Sequence, residues 1–142
     1  MDWRPVSQPA LTLAELEAVI RRAWSKETSD DPDEWTDSNR ARGQCGVTAM
    51  ALYQLFGGLL LVSDVSRGGI QVETHYWNRL PSGLEIDLTR EQFCQGETFG
   101  ESRTIDPCRA REPRPDHLRR ARLLLALVTQ ALRDQAASAA LG

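Results

Sequence analysis

The stretch RGQCGVTAMALYQLFGG, from Arg42 to Gly58, decides the fold that we expect for this chain. Beyond its first glycines the stretch is apolar on nearly every side, which is typical of a helix buried at the centre of a domain. Gly57 and Gly58 are suited to end that helix as C-cap residues. Cys45 stands at the entrance of the helix and not inside it. The stretch therefore predicts a cysteine at the N-terminus of a central helix.

Two further helices are predicted, one on each side of this stretch. Thr12 to Trp24 has apolar residues at helical spacing, and Thr12 with Glu15 has the spacing of a capping box. The stretch DHLRRARLLLALVTQALRD, residues 116–134, predicts a long amphipathic helix that is followed by a frayed Ala-rich tail. We expect this C-terminal helix to pack either on its own core or on a second copy of the chain in a homodimer.

The segments between these helices have the features of strands. Leu59–Val65 and Ile70–Leu80 are rich in β-forming residues, and PSG at Pro81–Gly83 is typical of a hairpin turn before a return strand, Leu84–Leu88. A short helical turn follows in TREQF, where Thr89 and Gln92 have capping-box spacing, and the chain from Cys94 to Pro115 has no regular pattern. We therefore predict an α+β fold in one domain, residues 1–142, with the cysteine helix packed on a small antiparallel sheet.

Composition excludes several classes of function. The chain has 142 residues, 41% hydrophobic and 26% charged, with a formal net charge of -3, so it has no strongly basic surface for nucleic acid. Its longest apolar runs are far shorter than the ~20 residues needed to span a bilayer. Three cysteines and the absence of an export signal at the start favour reduced thiols. We expect a cytoplasmic protein without a nucleic-acid or membrane partner.

Cys45, His75 and Asp87 are the residue types that thiol catalysis needs. The amides and the dipole at a helix N-terminus lower a thiol pKa, which favours a nucleophilic thiolate at Cys45. A three-residue loop at PSG places Asp87 opposite Trp77, and a shift of one residue in each strand places it opposite His75. In either register the acid and the imidazole point to the same face within reach. We therefore predict a triad in which Asp87 orients His75.

Neighbouring residues suit supporting roles in such a site. The side-chain amide of Gln44 and a backbone amide at Cys45 are candidate donors to an oxyanion. Gly43 and Gly46 leave room for a substrate backbone beside the sulfur. Trp77, two residues after the predicted base, is a candidate substrate-binding residue.

The strings GQCGVTAMALYQLFGG and HYWNRLPSGLEIDLTREQF resemble the YunG-like family of small bacterial proteins. The resemblance covers about Trp35 to Phe93, and it implies no settled substrate. In broader shape, a cysteine at a helix start followed by His and Asp on successive strands resembles the papain-like and transglutaminase-like superfamily. That resemblance implies peptidase, amidase, deamidase or acyl-transfer activity. The chain departs from papain in having no oxyanion-hole glutamine well upstream of the cysteine.

Structural roles remain open for each of these residues. Cys45 can be a small buried residue and His75 a core histidine with satisfied hydrogen bonds. Asp87 can be the N-cap of the helical turn that follows it. Gln44 can be a structural hydrogen-bonding residue, and Trp77 can be a core anchor that shields the site.

No metal or other cofactor is predicted. Cys45, His75, Cys94, Cys108 and His117 do not include a pair with the close spacing of a zinc site. Cys94 and Cys108 are read as free or buried thiols. A redox-sensing role for Cys45, with one of these thiols nearby, is a third and weaker interpretation.

Two functions of different class follow. The first is a thiol-dependent hydrolase or acyl transferase that acts on an amide-type bond of a small molecule, peptide or protein through a thioester intermediate. The second is a catalytically inactive binding or scaffold module on the same fold. Substitution of Cys45 by serine would abolish the first function and leave the second intact.

Overall fold

The computed structural model of the chain describes residues 12–106 and 115–141. This part of the chain contains three helices: α1, Leu13–Ala23; α2, Cys45–Phe56; and α3, Pro115–Leu141. The predicted capping box before α1 is confirmed, since Thr12 N donates to Glu15 Oε2 at 2.9 Å and Glu15 N donates to Thr12 Oγ1 at 3.1 Å. α3 continues through the Ala-rich tail that we expected to fray.

Five antiparallel strands form one sheet. The strands are β1, Leu59–Arg67; β2, Ile70–Arg79; β3, Glu85–Ile86; β4, Thr98–Phe99; and β5, Arg103–Ile105. Their order is β3-β2-β1-β4, and β5 also pairs with β1. The α+β class predicted from the sequence is therefore confirmed.

α2 lies at the centre of the fold, as its apolar pattern predicts. Half of its twelve residues are buried, and its apolar side chains pack with those of α1 and α3 in one hydrophobic cluster. Trp24 at the end of α1 is part of this cluster, and its indole Nε1 donates to Thr48 Oγ1 of α2 at 3.0 Å. This packing fixes the helix that carries Cys45.

The sheet differs from the prediction at its edges. The return strand is shorter than Leu84–Leu88, because Asp87 leaves the strand to accept a hydrogen bond from Thr89 N at 3.3 Å. The segment expected to be irregular contributes β4 and β5 to the sheet. Strands of two or three residues are too short to show an alternating pattern. The capping box expected at Thr89 is wrong, since its side chain makes no cap bond to the 3₁₀ turn Arg90–Gln92.

None of the helices within the described residues has the length and apolarity to cross a bilayer. α3 keeps Leu123 and Leu127 about two-fifths exposed, at 38% and 42%.

Candidate active site

The β2–β3 hairpin joins His75 to Asp87. Leu80 N donates to Leu84 O at 2.8 Å, which closes the loop Pro81–Gly83, and Asn78 pairs with Ile86. This register places Asp87 diagonally across from His75, one of the two arrangements expected from the sequence. His75 Nε2 and Asp87 Oδ2 are 2.7 Å apart, and the His75 side chain is fully buried.

Asp87 is held as a carboxylate. Burial opposes its ionisation, but the hydrogen bonds and charges of His75 and Arg90 outweigh burial and lower the pKa of Asp87 below its usual value. Arg90 Nε donates to the same Oδ2 atom at 2.9 Å. Because a carboxylate only accepts, the neutral imidazole donates from Nε2, and the lone pair lies on Nδ1. His75 Nδ1 is buried and makes no hydrogen bond to any described residue.

Three aromatic side chains fix the imidazole plane. Trp77 is stacked on the ring at 5.4 Å with an interplanar angle of 19°, and Phe93 and Phe99 meet it edge-on at 5.0 and 5.8 Å. The indole Nε1 of Trp77 donates to Glu85 Oε1 at 2.9 Å, and the residue is only 8% exposed. Trp77 therefore forms a wall behind the imidazole, and its position does not support the predicted contact with substrate.

The sulfur of Cys45 lies at the free edge of β2. Cys45 is the first residue of α2, and its Sγ atom is 4.0 Å from the carbonyl oxygen of Thr74. The backbone N–H of Tyr76 donates to the same sulfur. Thr74 and Tyr76 flank His75, and β3 leaves this part of β2 uncovered because it pairs only with Asn78 and Arg79. The thiol is therefore hydrogen-bonded to the two peptide groups on either side of His75, the predicted base.

The imidazole and α2 lie on opposite faces of β2. Asn78 Nδ2 donates to the carbonyl oxygen of Ala49 at 2.9 Å, so the side chain of Asn78 faces α2. Strand alternation then directs His75 and Trp77 to the other face. The structure brings His75 and Asp87 together and places Cys45 beside the backbone of His75, but it does not join the sulfur to the ring by a hydrogen bond.

The thiolate that we expected at Cys45 is not supported by the surroundings of its sulfur. Burial raises the pKa of Cys45 to about 11, and the hydrogen bond from Tyr76 N–H and the nearby side-chain amide of Gln92 lower it only in part. The negative charges of Glu73 and Asp30 raise it further. A helix terminus contributes about 0.3–1 kcal/mol at an exposed site, which is less than the desolvation of a packed thiolate. The residue as a whole keeps partial exposure, but the protein atoms around Sγ decide its pKa, so the resting sulfur is a thiol.

The side chain of Gln44 makes its hydrogen bonds away from Cys45. Its Oε1 accepts from Thr28 Oγ1 at 2.9 Å, and its Nε2 donates to the carbonyl oxygen of Ser25 at 3.0 Å. The residue is fully buried and makes no side-chain cap bond to α2. These contacts match the structural alternative and do not support the predicted oxyanion role.

Gln92 is a site residue that sequence reasoning missed. It ends the 3₁₀ turn and is 2% exposed, and its Oε1 accepts from Gly43 N at 3.1 Å. Its Nε2 lies near enough to Cys45 to lower the pKa of the thiol, yet it makes no hydrogen bond of good geometry to a described residue. The only sequence signal for Gln92 is its Thr-x-x-Gln spacing from Thr89, which is equally typical of a capping box.

Several buried polar atoms at the site have no hydrogen-bond partner among the described residues. Within residues 12–106 and 115–141 four such side-chain atoms occur: Ser63 Oγ, His75 Nδ1, Gln92 Nε2 and Glu97 Oε2. Ser63 pairs directly with His75 across β1 and β2, and Gln92 lies beside Cys45. An unsatisfied buried polar group costs about 1–3 kcal/mol. Such a group in a native fold needs an explanation, and a bound polar ligand is one.

The other two cysteines and the possibility of a metal centre were also considered from the sequence. Cys94 is an exposed thiol, and Cys108 lies outside the described residues. Among the residues that the structure describes, no group of three or more His, Cys, Asp or Glu side chains is arranged to hold a metal ion.

Comparison with known proteins gives two matches. A family model described as "YunG protein" matches residues 12–134. A Bacillus subtilis (strain 168) protein described as "Uncharacterized protein YunG" is 32% identical over 75 residues, which cover 53% of this chain and 57% of the relative. The matched part thus spans little more than half of that relative. No solved structure matches the chain.

Proposed function

For this chain, which belongs to the YunG protein family, we propose a thiol-dependent hydrolase or acyl transferase that acts on an amide-type bond through Cys45, His75 and Asp87. One observation carries the proposal. The 2.7 Å bond between His75 and Asp87 leaves Nδ1 as a buried lone pair without a partner, next to the peptide groups that hold the Cys45 sulfur. A papain-like or transglutaminase-like core belongs to the same proposal.

In the first step, the thiol attacks a carbonyl carbon. Because the pKa of Cys45 is raised to about 11, the proton stays on sulfur at rest and must leave as the sulfur–carbon bond forms. His75 Nδ1 accepts that proton, and Asp87 stabilises the imidazolium. The imidazolium then gives the proton to the leaving amine as the carbon–nitrogen bond breaks, which leaves a thioester on Cys45.

The negative charge that develops on the carbonyl oxygen needs donors. Gln92 Nε2 is buried beside the sulfur with its hydrogens unused, and the first amides of α2 have no partner within the helix. Loss of one such donor typically lowers kcat about 10²–10³-fold. Gln92 thus takes the role that the sequence analysis gave to Gln44.

The thioester is released by water in a hydrolase and by an amine in a transferase. The substrate proposed is any amide-containing small molecule, peptide or protein whose carbonyl reaches the β2 edge. Cytoplasmic location remains part of the proposal, supported by the odd number of cysteines.

Acetylation by p-nitrophenyl acetate tests this function, with peptide mapping to locate the acetyl group. Cys94 is an internal control, since it is an exposed thiol that takes no part in the proposed triad. We expect acetylation of Cys45 to fall about 100-fold in His75→Gln, the usual range for loss of a general base, while acetylation of Cys94 stays constant. Equal acetylation of Cys45 in wild type and His75→Gln would overturn the proposal.

A binding or scaffold module is the second candidate. The observation that favours it is the missing hydrogen bond between Sγ and the imidazole, together with the raised pKa of Cys45. Such a module needs the packing of Cys45 but not its nucleophilicity. Cys45→Ser would then preserve the function that the wild-type chain has, whereas it would remove catalysis by an acyl enzyme.

A further inference from the structure

Both histidines of the chain are hydrogen-bonded to an aspartate, and His117 lies against the first turn of α2. We propose that His117, held by Asp30, is a second proton-transfer group of the site that serves the water or amine releasing the acyl group from Cys45. This inference rests on the proposed function. The sequence suggested His117 only as a metal ligand, and its pairing with Asp30 is seen in the structure.

The geometry places the second pair against the residue that follows the nucleophile. His117 Nδ1 is 2.9 Å from Asp30 Oδ2, and Asp30 N donates to the carbonyl oxygen of Gly43 at 2.9 Å. A Cβ atom at Gly46 would lie 2.8 Å from His117 Cε1 and 3.4 Å from Asp30 Oδ2. Position 46 therefore accommodates the imidazole only because it lacks a side chain, and the ring lies directly against the helix turn that carries Cys45.

Asp30 also acts on the sulfur through its charge. After burial, the negative charges of Glu73 and Asp30 contribute to the raised pKa of Cys45. Burial and the charge of Cys45 raise the pKa of Tyr76, and Asp30 adds to that shift as well. Asp30 is therefore close enough to act on both groups at the β2 edge.

The two imidazoles differ in their access to solvent. The His75 side chain is 0% exposed, whereas that of His117 is 24% exposed. Because Asp30 faces Nδ1, the neutral His117 ring donates from Nδ1 and has its lone pair on Nε2. A nucleophile that arrives from solvent can meet this lone pair, whereas the imidazole of His75 is buried among aromatic rings.

In the release step, His117 Nε2 accepts a proton from water as the water oxygen bonds to the carbonyl carbon of the thioester. The carbon–sulfur bond then breaks, and its electron pair leaves with Cys45 Sγ. The proton on His117 passes to that sulfur, so the products are a carboxylic acid and the free thiol. With an amine in place of water, the same transfers give an amide.

A structural role would make the pair only a contact between α3 and the loop before α2. The two roles differ in the step that they affect. A structural contact supports every step equally through folding, whereas a release base affects only the loss of the acyl group. Separate measurement of acetylation and of deacetylation at Cys45 therefore decides between them.

The experiment follows acetyl-Cys45 by mass spectrometry after a pulse of p-nitrophenyl acetate. In His117→Gln we expect acetylation at the wild-type rate and deacetylation about 100-fold slower, the range for general-base assistance. Asp30→Asn should also slow deacetylation of Cys45, because it removes the group that positions His117. The matched control is Asp116→Asn, which alters an 82% exposed side chain one residue away and should leave both rates unchanged.

Hydroxylamine distinguishes the loss of a base in His117→Gln from a disturbance of its fold. As a strong nucleophile that needs no base, it should remove the acetyl group from His117→Gln and from wild type at the same rate. Gly46→Ala offers a second variant, since its new methyl group displaces the His117 ring and should slow release without changing His117 itself.

Deacetylation of His117→Gln at the rate of Asp116→Asn would overturn the inference while leaving the proposed function in place. Slower acetylation of His117→Gln that parallels its slower release would also overturn it, in favour of a structural contact. Failure of wild type to acetylate Cys45 faster than Cys94 would instead overturn the proposed function, and the inference with it.

Discussion

The sulfur of Cys45 lies 4.0 Å from the carbonyl oxygen of Thr74, so the thiol is bonded to the backbone beside His75 and not to its ring. In this state the proton of the thiol is directed to the strand edge. Under the proposed function, we expect a substrate at the β2 edge to compete for the same backbone groups and to free the thiol to turn to Nδ1. The catalytic contact is thus expected to form upon substrate binding.

Substitution of Gln92 is predicted to affect acetylation of Cys45, and substitution of Gln44 is predicted to affect stability. Gln92→Ala should lower acetylation of Cys45 about 10²–10³-fold, because it removes a donor to the developing oxyanion. Gln44→Ala should instead lower the free energy of unfolding by about 1–3 kcal/mol, since it leaves Ser25 and Thr28 without their buried partner. Acetylation rates and urea unfolding of both variants check this. Slower acetylation in Gln44→Ala together with an unchanged acetylation rate in Gln92→Ala would contradict this description of the site.

Alkaline unfolding should depend on Cys45. The pKa of its thiol is raised from 9.0 to about 11 in the fold. The fold therefore favours the protonated form, and its contribution is fully present below pH 9 and is lost as the pH rises through about 11. Wild type should lose about 2 kcal/mol more stability across this window than Cys45→Ser, which has no thiol to ionise. Parallel stability curves for the two proteins would show that the sulfur is not desolvated.

Acid unfolding should depend on Asp87. Here the fold stabilises the ionised form of the group, whereas at Cys45 it stabilises the protonated form. The pKa of Asp87 is lowered below its ordinary 3.8 by His75 and Arg90 against the effect of burial. Its stabilisation is present above that value and is lost as the pH falls through the lower pKa of the folded state. Asp87→Asn should therefore be less stable than wild type at neutral pH, and the difference should shrink below pH 4. A constant difference down to strongly acidic pH would contradict the pairing with His75.

Ser63 tests whether the lone pair of His75 is free. Its hydroxyl lies opposite His75 and has no hydrogen-bond partner among the described residues. Because Ser63→Ala removes a buried hydroxyl that has no partner, it should raise the free energy of unfolding, by at most about 1–3 kcal/mol, and leave acetylation of Cys45 unchanged. Destabilisation by more than about 1 kcal/mol would indicate that the hydroxyl holds Nδ1 in solution.

Local patterns were sufficient to predict α2 and the hairpin that joins His75 to Asp87. The apolar run after Cys45 and the three-residue loop at Pro81–Gly83 act within a few residues of one another, so the sequence carries the information directly. The pKa of Cys45 could not be predicted in this way. It depends on atoms packed around the sulfur from β2 and from Gln92, which lie far along the chain.

Long-range contacts also explain why the side chain of Gln92, and not that of Gln44, lies beside the sulfur. Gln44 is adjacent to Cys45 in sequence, but its side chain turns back to Ser25 and Thr28. Gln92 is distant in sequence and reaches the sulfur through its contact with Gly43. Proximity in sequence to Cys45 therefore does not identify the side-chain amide that lies beside its sulfur.

The pH dependence of Cys45 acetylation in wild type and His75→Gln tests the central claim most directly. If His75 Nδ1 accepts the thiol proton, wild type reacts about 100-fold faster at neutral pH, and the two profiles converge near pH 11, where the thiolate forms without a base. Two profiles that run together from neutral to alkaline pH would show that His75 does not act on Cys45, and the account would be wrong.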